Sequence, residues 1–168
     1  MLPPEPVRSQ INMLRAKYDP QSHKNVEAHI SLTVQLQKEP DDHQWAELER
    51  IASHFQPFPI SYGPFVPFLP RPGAALDIQP QAQLDKLRLA LEVSEVFLGA
   101  PPRRHPFWAH ITIAEFVSVE ITEQLVRDLE GKRVLTGSFV YDHSHISYVV
   151  PDEEFRFIEW RSLKLGSQ

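Results

Sequence analysis

Three tripeptides in this sequence place a histidine two positions before a hydroxyl side chain: His29-Ile30-Ser31, His110-Ile111-Thr112 and His145-Ile146-Ser147. The chain has 8 His and 16 Ser or Thr in 168 residues, so roughly one such tripeptide is expected by chance. Imidazole exchanges protons near neutral pH, and a neighbouring hydroxyl can hydrogen-bond an anion. The spacing therefore indicates acid–base chemistry on a bound phosphate.

The first two tripeptides each lie in a stretch of alternating apolar and polar residues, over residues 28–37 and 109–114. Such alternation predicts a strand, and residues two apart in a strand project from the same face. Each strand would then present its histidine and its hydroxyl side by side. If the two faces meet, a histidine and a hydroxyl approach one phosphate from each strand.

Helices and further strands surround these two stretches. Apolar residues at helical spacing, with Pro, Asp, Thr and Gly at the boundaries, predict four helices. They cover about residues 11–18, 43–55, 80–98 and 122–129, with Asp41 or Asp42 as the cap of the second and Thr122 as the cap of the fourth. Five further strands are predicted over residues 57–65, 74–78, 134–141, 145–150 and 155–165.

The order of these elements nearly repeats across the two halves of the chain. Each half has a helix, an alternating strand that opens with histidine, another helix and further strands. We therefore expect an α+β fold of two pseudo-symmetric lobes, with antiparallel sheets, helices outside and a central cleft that carries the two motifs. No low-complexity linker divides the halves, so we expect residues 1–168 to form a single bilobal domain, with residues 1–8 irregular or flexible.

The composition argues against several classes of protein. The formal net charge of -5 argues against binding to duplex DNA, which requires a basic face. The absence of cysteine excludes thiol nucleophiles and cysteine-based metal sites. No stretch is apolar over the roughly 20 residues that a membrane span needs, and the first residues lack the pattern of a secretory signal. We expect a cytoplasmic monomer that binds no membrane.

The paired motifs resemble those of the two-histidine phosphoesterase superfamily, which includes 2′-5′ RNA ligase-like proteins. The similar segments are Ala28-His29-Ile30-Ser31-Leu32, Ala109-His110-Ile111-Thr112-Ile113 and, before the first motif, residues 14–20. The resemblance implies that His29 and His110 are catalytic, that Ser31 and Thr112 bind the phosphate, and that no metal or other cofactor is needed. It also implies, as substrate, a nucleotide or RNA end with a 2′,3′-cyclic phosphate or a 2′-5′ linkage.

Four further residues are candidates for contacts with substrate. Arg103 and Arg104 precede the second motif by a few positions and could contact a phosphate or a nucleotide tail. His145 and Ser147, from the third tripeptide, could join the site or belong to a polar strand face. Six aromatic residues are expected in the core, with base stacking as the alternative: Phe58, Tyr62, Phe65, Phe68, Phe107 and Trp108. Structural roles at the end of the first helix are expected for Arg15, Tyr18 and Asp19.

Three hypotheses follow for the function. In the first, the protein is a metal-independent phosphodiesterase in which one histidine deprotonates water or a ribose hydroxyl and the other protonates the leaving oxygen. In the second, His29, His110 and His145 hold a metal that activates water, which leaves the hydroxyl of each motif unexplained. In the third, the protein binds a nucleotide or RNA end without turnover. The symmetric motifs do not distinguish the acid from the base, or hydrolysis from ligation.

Overall fold

The structure is a computed structural model that describes residues 1–34, 36, 38–103, 105–129, 135–149 and 157–166. Arg104 lies outside the described residues. The side chains of residues 144–149 and 157–160 lie outside them as well, including those of His145 and Ser147. In the described part of the chain, no helix is both long and apolar enough to span a membrane.

The chain forms helices and antiparallel strands in mixed order. The elements are α1 (Val7–Tyr18), α2 (Pro20–Asn25), α3 (Asp42–Ser53), β1 (Phe58–Pro67), β2 (Ala74–Gln79), α4 (Gln81–Glu92), β3 (His110–Ala114), α5 (Val119–Leu129), β4 (Gly137–Tyr141), β5 (His143–Val149) and β6 (Phe157–Lys164). One sheet has the strand order β3-β2-β1-β4, and β5 pairs with β6 in a second sheet. All these pairs are antiparallel, so the predicted α+β class is confirmed.

The core lies between the helices and the sheets. Helix α1 packs on β3, α3 packs on β6 and on α4, and α5 packs on β1. Residues whose side chains are fully buried include Ile11, Leu48, Ile60, Leu76, Ile78, Leu84, Leu87 and Leu91. Removal of these apolar surfaces from water is the main driving force for the fold.

Two predicted helix boundaries are confirmed. Helix α1 ends at Tyr18, and the side chain of Asp19 then accepts a hydrogen bond from the backbone N–H of Ser22 and caps α2. Helix α3 begins with a capping box between Asp41 and Gln44. Helix α2 was not predicted, because its six residues carry no apolar stripe.

Two other predicted boundaries are wrong. Helix α4 ends at Glu92, and a separate 3-10 turn covers Glu95–Phe97, so the helix does not continue to residue 98. Thr122 is not a helix cap, since α5 already begins at Val119. The Thr122 hydroxyl is buried instead, where it accepts a hydrogen bond from the backbone N–H of Gly73 at 2.8 Å.

The predicted strand over residues 28–37 does not form as a strand in its described part. Pairing there is a single antiparallel bridge between Ile30 and Ile111 of β3. On its other side, Ile30 exchanges two hydrogen bonds with Met1: its N–H donates to the Met1 carbonyl at 2.8 Å and its carbonyl accepts from the Met1 amine at 2.9 Å. Alternation predicts an extended chain, but a ladder also needs a partner in register over several residues, and the described pairing here is limited to this bridge and the two bonds to Met1.

Candidate active site

The bridge between Ile30 and Ile111 sets how the two motifs meet. Both isoleucines are fully buried. Successive side chains of an extended chain point to opposite faces, so the residues on either side of each isoleucine project away from the core. The motifs therefore lie side by side on paired segments, with their polar residues on one common face.

The register of this bridge pairs each histidine with the hydroxyl of the other motif. His29 lies opposite Thr112, and Ser31 lies opposite His110. Directly opposed residues in an antiparallel pair have Cβ atoms about 4.5–5.5 Å apart, and diagonal neighbours lie within about 8 Å. The two imidazoles are therefore diagonal neighbours, and both are half-buried. The bridge therefore brings all four side chains of the two motifs to one face of the paired segments.

Both histidines are oriented by the same kind of backbone contact. Nδ1 of His29 lies 2.8 Å from the carbonyl oxygen of Glu27, and Nδ1 of His110 lies 2.8 Å from that of Trp108. Because a carbonyl only accepts, Nδ1 carries the hydrogen and donates it in each ring. In the neutral ring, the lone pair is then on Nε2, which is the nitrogen that can take up or deliver a proton.

The surroundings of His29 disfavour a positive charge on its ring. Burial, assisted by the positive charges of the Met1 amine, Arg15 and His110, lowers the pKa of His29 to about 4. The backbone hydrogen bond to Glu27 acts in the opposite direction. His29 is therefore neutral at pH 7 and can act as a proton acceptor.

The surroundings of His110 are aromatic and acidic. Its ring stacks on Trp108 with centroids 4.5 Å apart and an interplanar angle of 27°, and it meets the edge of Phe68 at 6.3 Å. The indole Nε1 of Trp108 donates to Asp77 at 2.6 Å, and Asp77 of β2 is paired directly with His110 in the sheet. These packed groups hold the orientation of the His110 ring.

Two buried polar residues of α1 and its C-cap connect the segments of the two motifs. Arg15 is only 2% exposed, and it donates to the carbonyls of Thr112 at 2.7 Å and Val26 at 3.0 Å. Asp19 is 3% exposed and accepts from the backbone N–H of Glu115 at 2.8 Å. Both residues lie in the similar segment over residues 14–20, and from the sequence they were expected only to end a helix.

A cleft of about 710 Å³ extends from the two motifs along the surface. Its lining includes Ser31 and His110 from the motifs, the aromatic residues Phe68, Trp108 and Phe116, and the cation Arg71. This volume is within the range of about 300–1,000 Å³ that is typical of small-molecule sites, so there is room for more than one phosphate group. Arg71 and Phe116 were not identified from the sequence, where neither belongs to a motif.

The remaining candidate residues for substrate contacts differ in where the structure places them. Arg103 lines the cleft, but its Nη2 donates to Glu92 at 3.1 Å and to the carbonyl of Leu32, and its guanidinium lies over the ring of Phe107. It therefore has a structural role in ordering the segment after the first motif. Arg104 and the side chains of His145 and Ser147 are outside the described residues. The backbone of residues 145 and 147 lies in β5, paired with β6.

A three-histidine metal site is not tested by this structure. Among the side chains that the structure describes, no three His, Asp or Glu residues are grouped so that they could hold a metal ion. The hypothesis also requires His145, whose side chain is not described.

The fold and the paired motifs define a class of protein: an α+β two-histidine phosphoesterase fold. Residues 3–150 match the family model of the 2′-5′ RNA ligase superfamily, and the chain belongs to this superfamily. The resemblance of the motifs to those of the superfamily is thereby confirmed.

Solved structures of 18–20% sequence identity share this fold. Escherichia coli LigT complexed with 3′-AMP is 20% identical, with a TM-score of 0.61 over 99% of this chain and 95% of LigT. TT0787 of Thermus thermophilus is 18% identical, with a TM-score of 0.65 over 99% of this chain and 96% of TT0787. LigT complexed with NADP+ is 18% identical, with a TM-score of 0.60 over 99% of this chain and 94% of LigT. No curated protein sequence is significantly similar to this chain.

Proposed function

We propose that this protein is a metal-independent phosphodiesterase that acts on a 2′,3′-cyclic phosphate or a 2′-5′ phosphodiester of RNA or a nucleotide. The observation that carries the proposal is the bridge register, which pairs His29 with Thr112 and Ser31 with His110 on one face. Membership of the 2′-5′ RNA ligase superfamily supports the same class of reaction. LigT, which has the same fold, forms complexes with two nucleotides, 3′-AMP and NADP+.

In this proposal His29 is the base and His110 is the acid. Nε2 of His29 accepts a proton from water, whose oxygen forms a new bond to phosphorus. The ring P–O bond of the cyclic phosphate breaks, and His110 delivers a proton from Nε2 to the leaving ribose oxygen. His29 ends protonated and His110 neutral, so proton exchange with solvent restores the starting state.

Charge determines this division of roles. The low pKa of His29 makes its ring neutral and ready to accept a proton, which leaves the delivery of a proton to His110 in this proposal. A bound phosphate is negative and raises the pKa of His29 towards neutrality, which makes His29 a stronger base in the complex than in the free protein. The hydroxyls of Ser31 and Thr112 donate hydrogen bonds to the non-bridging oxygens and hold phosphorus between the rings.

Substitution of each histidine tests the proposal. We expect His29→Ala and His110→Ala each to lower the turnover of a 2′,3′-cyclic nucleotide by about 10²- to 10⁴-fold, the usual contribution of a general acid or base. His54→Ala is the matched control, since the exposed ring of His54 also contacts a backbone carbonyl through Nδ1, that of Arg50. Circular dichroism confirms that each variant is folded. Full activity of either catalytic variant contradicts the assignment.

The alternatives give different results in the same assay. Loss of activity after exhaustive chelation, with recovery on addition of zinc, would support the three-histidine metal site. Saturable binding of the cyclic nucleotide with no product would support a binding module. Light scattering of the purified chain checks the proposed monomer, and localisation in the cytoplasm stays a prediction.

A further inference from the structure

Phe116 is an exposed aromatic residue with an unfavourable backbone conformation. It lines the cleft, its residue surface is 91% exposed, and its φ angle is +53°. Left-handed backbone is disfavoured for a residue with a Cβ atom, and an exposed phenyl ring contributes nothing to the core. The preceding residue is held in place, because the N–H of Glu115 donates to the buried carboxylate of Asp19. The ring is thus kept in the cleft wall at an energetic cost.

Arg71 presents a cation to the same cleft. It lies in the turn between β1 and β2, and its exposed guanidinium makes no ion pair or hydrogen bond within the described part of the chain. This differs from Arg103, whose charge is paired with Glu92. Among the residues that line the cleft there are one carboxylate, that of Glu115, and two guanidinium groups, of which that of Arg103 is paired with Glu92.

The turn that carries Arg71 is fixed against the end of β3. The N–H of Gly73 donates to the buried hydroxyl of Thr122 at 2.8 Å, and its carbonyl accepts from the N–H of Phe68 at 2.9 Å. A Cβ atom at Gly73, whose φ is +115°, would lie 2.8 Å from the carbonyl oxygen of Ala114. The turn therefore approaches the chain two residues before Phe116, which places Arg71 and Phe116 at the same end of the cleft.

This end of the cleft lies beyond the last residue of β3. Phe116 follows His110 by six positions, and an extended chain advances about 3.3 Å per residue, so the two Cα atoms are up to about 20 Å apart. Among the described aromatic residues, Trp108 and Phe68 contact the ring of His110 and Phe116 does not, which leaves Phe116 available to the base of a neighbouring nucleotide. Proteins bind single-stranded nucleic acid by stacking bases on aromatic rings beside cations that contact the backbone.

We propose that Arg71 and Phe116 form a second subsite for the nucleotide adjacent to the reacting phosphate. Phe116 stacks on its base and Arg71 contacts its phosphate. The preferred substrate is then a single-stranded RNA end of two or more nucleotides, and a free cyclic mononucleotide is a poorer one. This inference rests on the proposed function for the reacting end of the substrate.

The test compares two substrates that share the reacting group: a 2′,3′-cyclic mononucleotide and a trinucleotide that ends in the same cyclic phosphate. We expect the native protein to have the higher kcat/KM on the trinucleotide. Phe116→Ala should lower that value by about 5- to 150-fold, the usual effect of losing one stacked base, and leave the mononucleotide value unchanged. Phe116→Trp, which keeps an aromatic ring at this position, should retain the preference for the trinucleotide. Val93→Ala, which removes an exposed apolar side chain outside the cleft, is the matched control.

Arg71→Gln separates the contribution of charge. We expect it to lower kcat/KM for the trinucleotide and to leave the mononucleotide value unchanged. The slope of log(kcat/KM) against log[salt] should decrease in magnitude by about 0.7, the effect of one fewer phosphate contact on a single strand. Arg127→Gln, at an exposed position of α5 outside the cleft, is the control.

Equal losses on both substrates, or no loss on the trinucleotide, would overturn the second subsite and leave the proposed function intact. If the native protein turns over neither substrate, the proposed function fails, and calorimetry with a trinucleotide that ends in a 3′-phosphate decides on the subsite. Weaker binding by Phe116→Ala and Arg71→Gln then supports it, and unchanged binding overturns it.

Discussion

The two motifs are nearly identical in sequence, but the fold holds them in different ways. His110 begins a regular strand that is paired with β2 along four residue pairs and is braced by Trp108. His29 lies in an extended segment with one bridge to β3, and its position depends on Met1 and on the buried guanidinium of Arg15. Half of the site is therefore part of a sheet, whereas the other half is held by a few contacts that are distant in sequence.

This difference also sets the chemistry of the two rings. Burial, together with the positive charge that the contacts of the first motif bring near the ring, lowers the pKa of His29 to about 4. The sheet that holds the second motif brings a carboxylate and an indole face to His110. Two similar tripeptides thus have different surroundings, which is the basis of the different roles that we propose for the two rings.

Among the tests of this difference between the two motifs, the largest effect on stability is expected from Arg15→Met. This change removes the buried donor to the carbonyls of Thr112, Val26 and Ser22 and leaves carbonyl groups without partners, at about 1–3 kcal/mol each. We expect the free energy of unfolding to decrease by about 3 kcal/mol or more, measured by urea denaturation. Because the register of the motifs is disturbed, kcat should decrease more than KM changes, and Arg15→Lys should restore part of it.

The matched control for Arg15 is Arg127→Met, which removes an exposed arginine of α5. Its unfolding free energy and kcat should match those of the native protein. If Arg15→Met is as stable and as active as this control, Arg15 does not position the first motif.

A smaller effect is expected from the pH dependence of stability. The ring of His29 titrates near pH 6.5 in the unfolded chain and near pH 4 in the folded protein. Between these values the unfolded chain binds a proton that the folded protein does not, so stability falls as the pH is lowered through this window. We expect a loss of about 2 kcal/mol between pH 7 and pH 4.5, measured by urea denaturation at each pH.

In His29→Gln this part of the pH dependence should be absent, because the amide does not titrate. His54→Gln, at an exposed position, should retain it. An unchanged pH dependence in His29→Gln would show that burial does not perturb this ring, and it would remove the electrostatic difference between the two motifs.

The smallest effect is expected from Trp108, which braces the second motif. Trp108→Leu removes the aromatic contact with His110 and the hydrogen bond to Asp77. An aromatic pair contributes about 0.5–1.5 kcal/mol, so we expect kcat to decrease by up to about 10-fold, in steady-state kinetics. Trp108→Phe retains the ring contact and should recover most of kcat; equal activity of all three proteins would show that the sheet alone orients His110.

Local patterns predicted much of this molecule because they depend on neighbouring residues. Alternation predicted β3, and the Asp41 cap predicted the start of α3. The strand predicted over residues 28–37 forms a single bridge in its described part, since a ladder also needs a partner in register, which no local pattern shows. Arg15 was read as the end of a helix, because an arginine on a helix looks the same in the sequence whether it faces solvent or the core.

The sequence by itself determined which groups can do the chemistry: two imidazoles, each two positions from a hydroxyl, on segments whose alternation puts them on one face. Only the tertiary structure decided that these segments pair through Ile30 and Ile111. It also placed one histidine near positive charge and the other beside an indole and a carboxylate, and it brought Phe116 and Arg71 into the lining of the same cleft. The physical reason is the separation along the chain over which each property is set. Side-chain periodicity is set within a few residues, whereas burial and electrostatic environment are set by groups far apart in the chain.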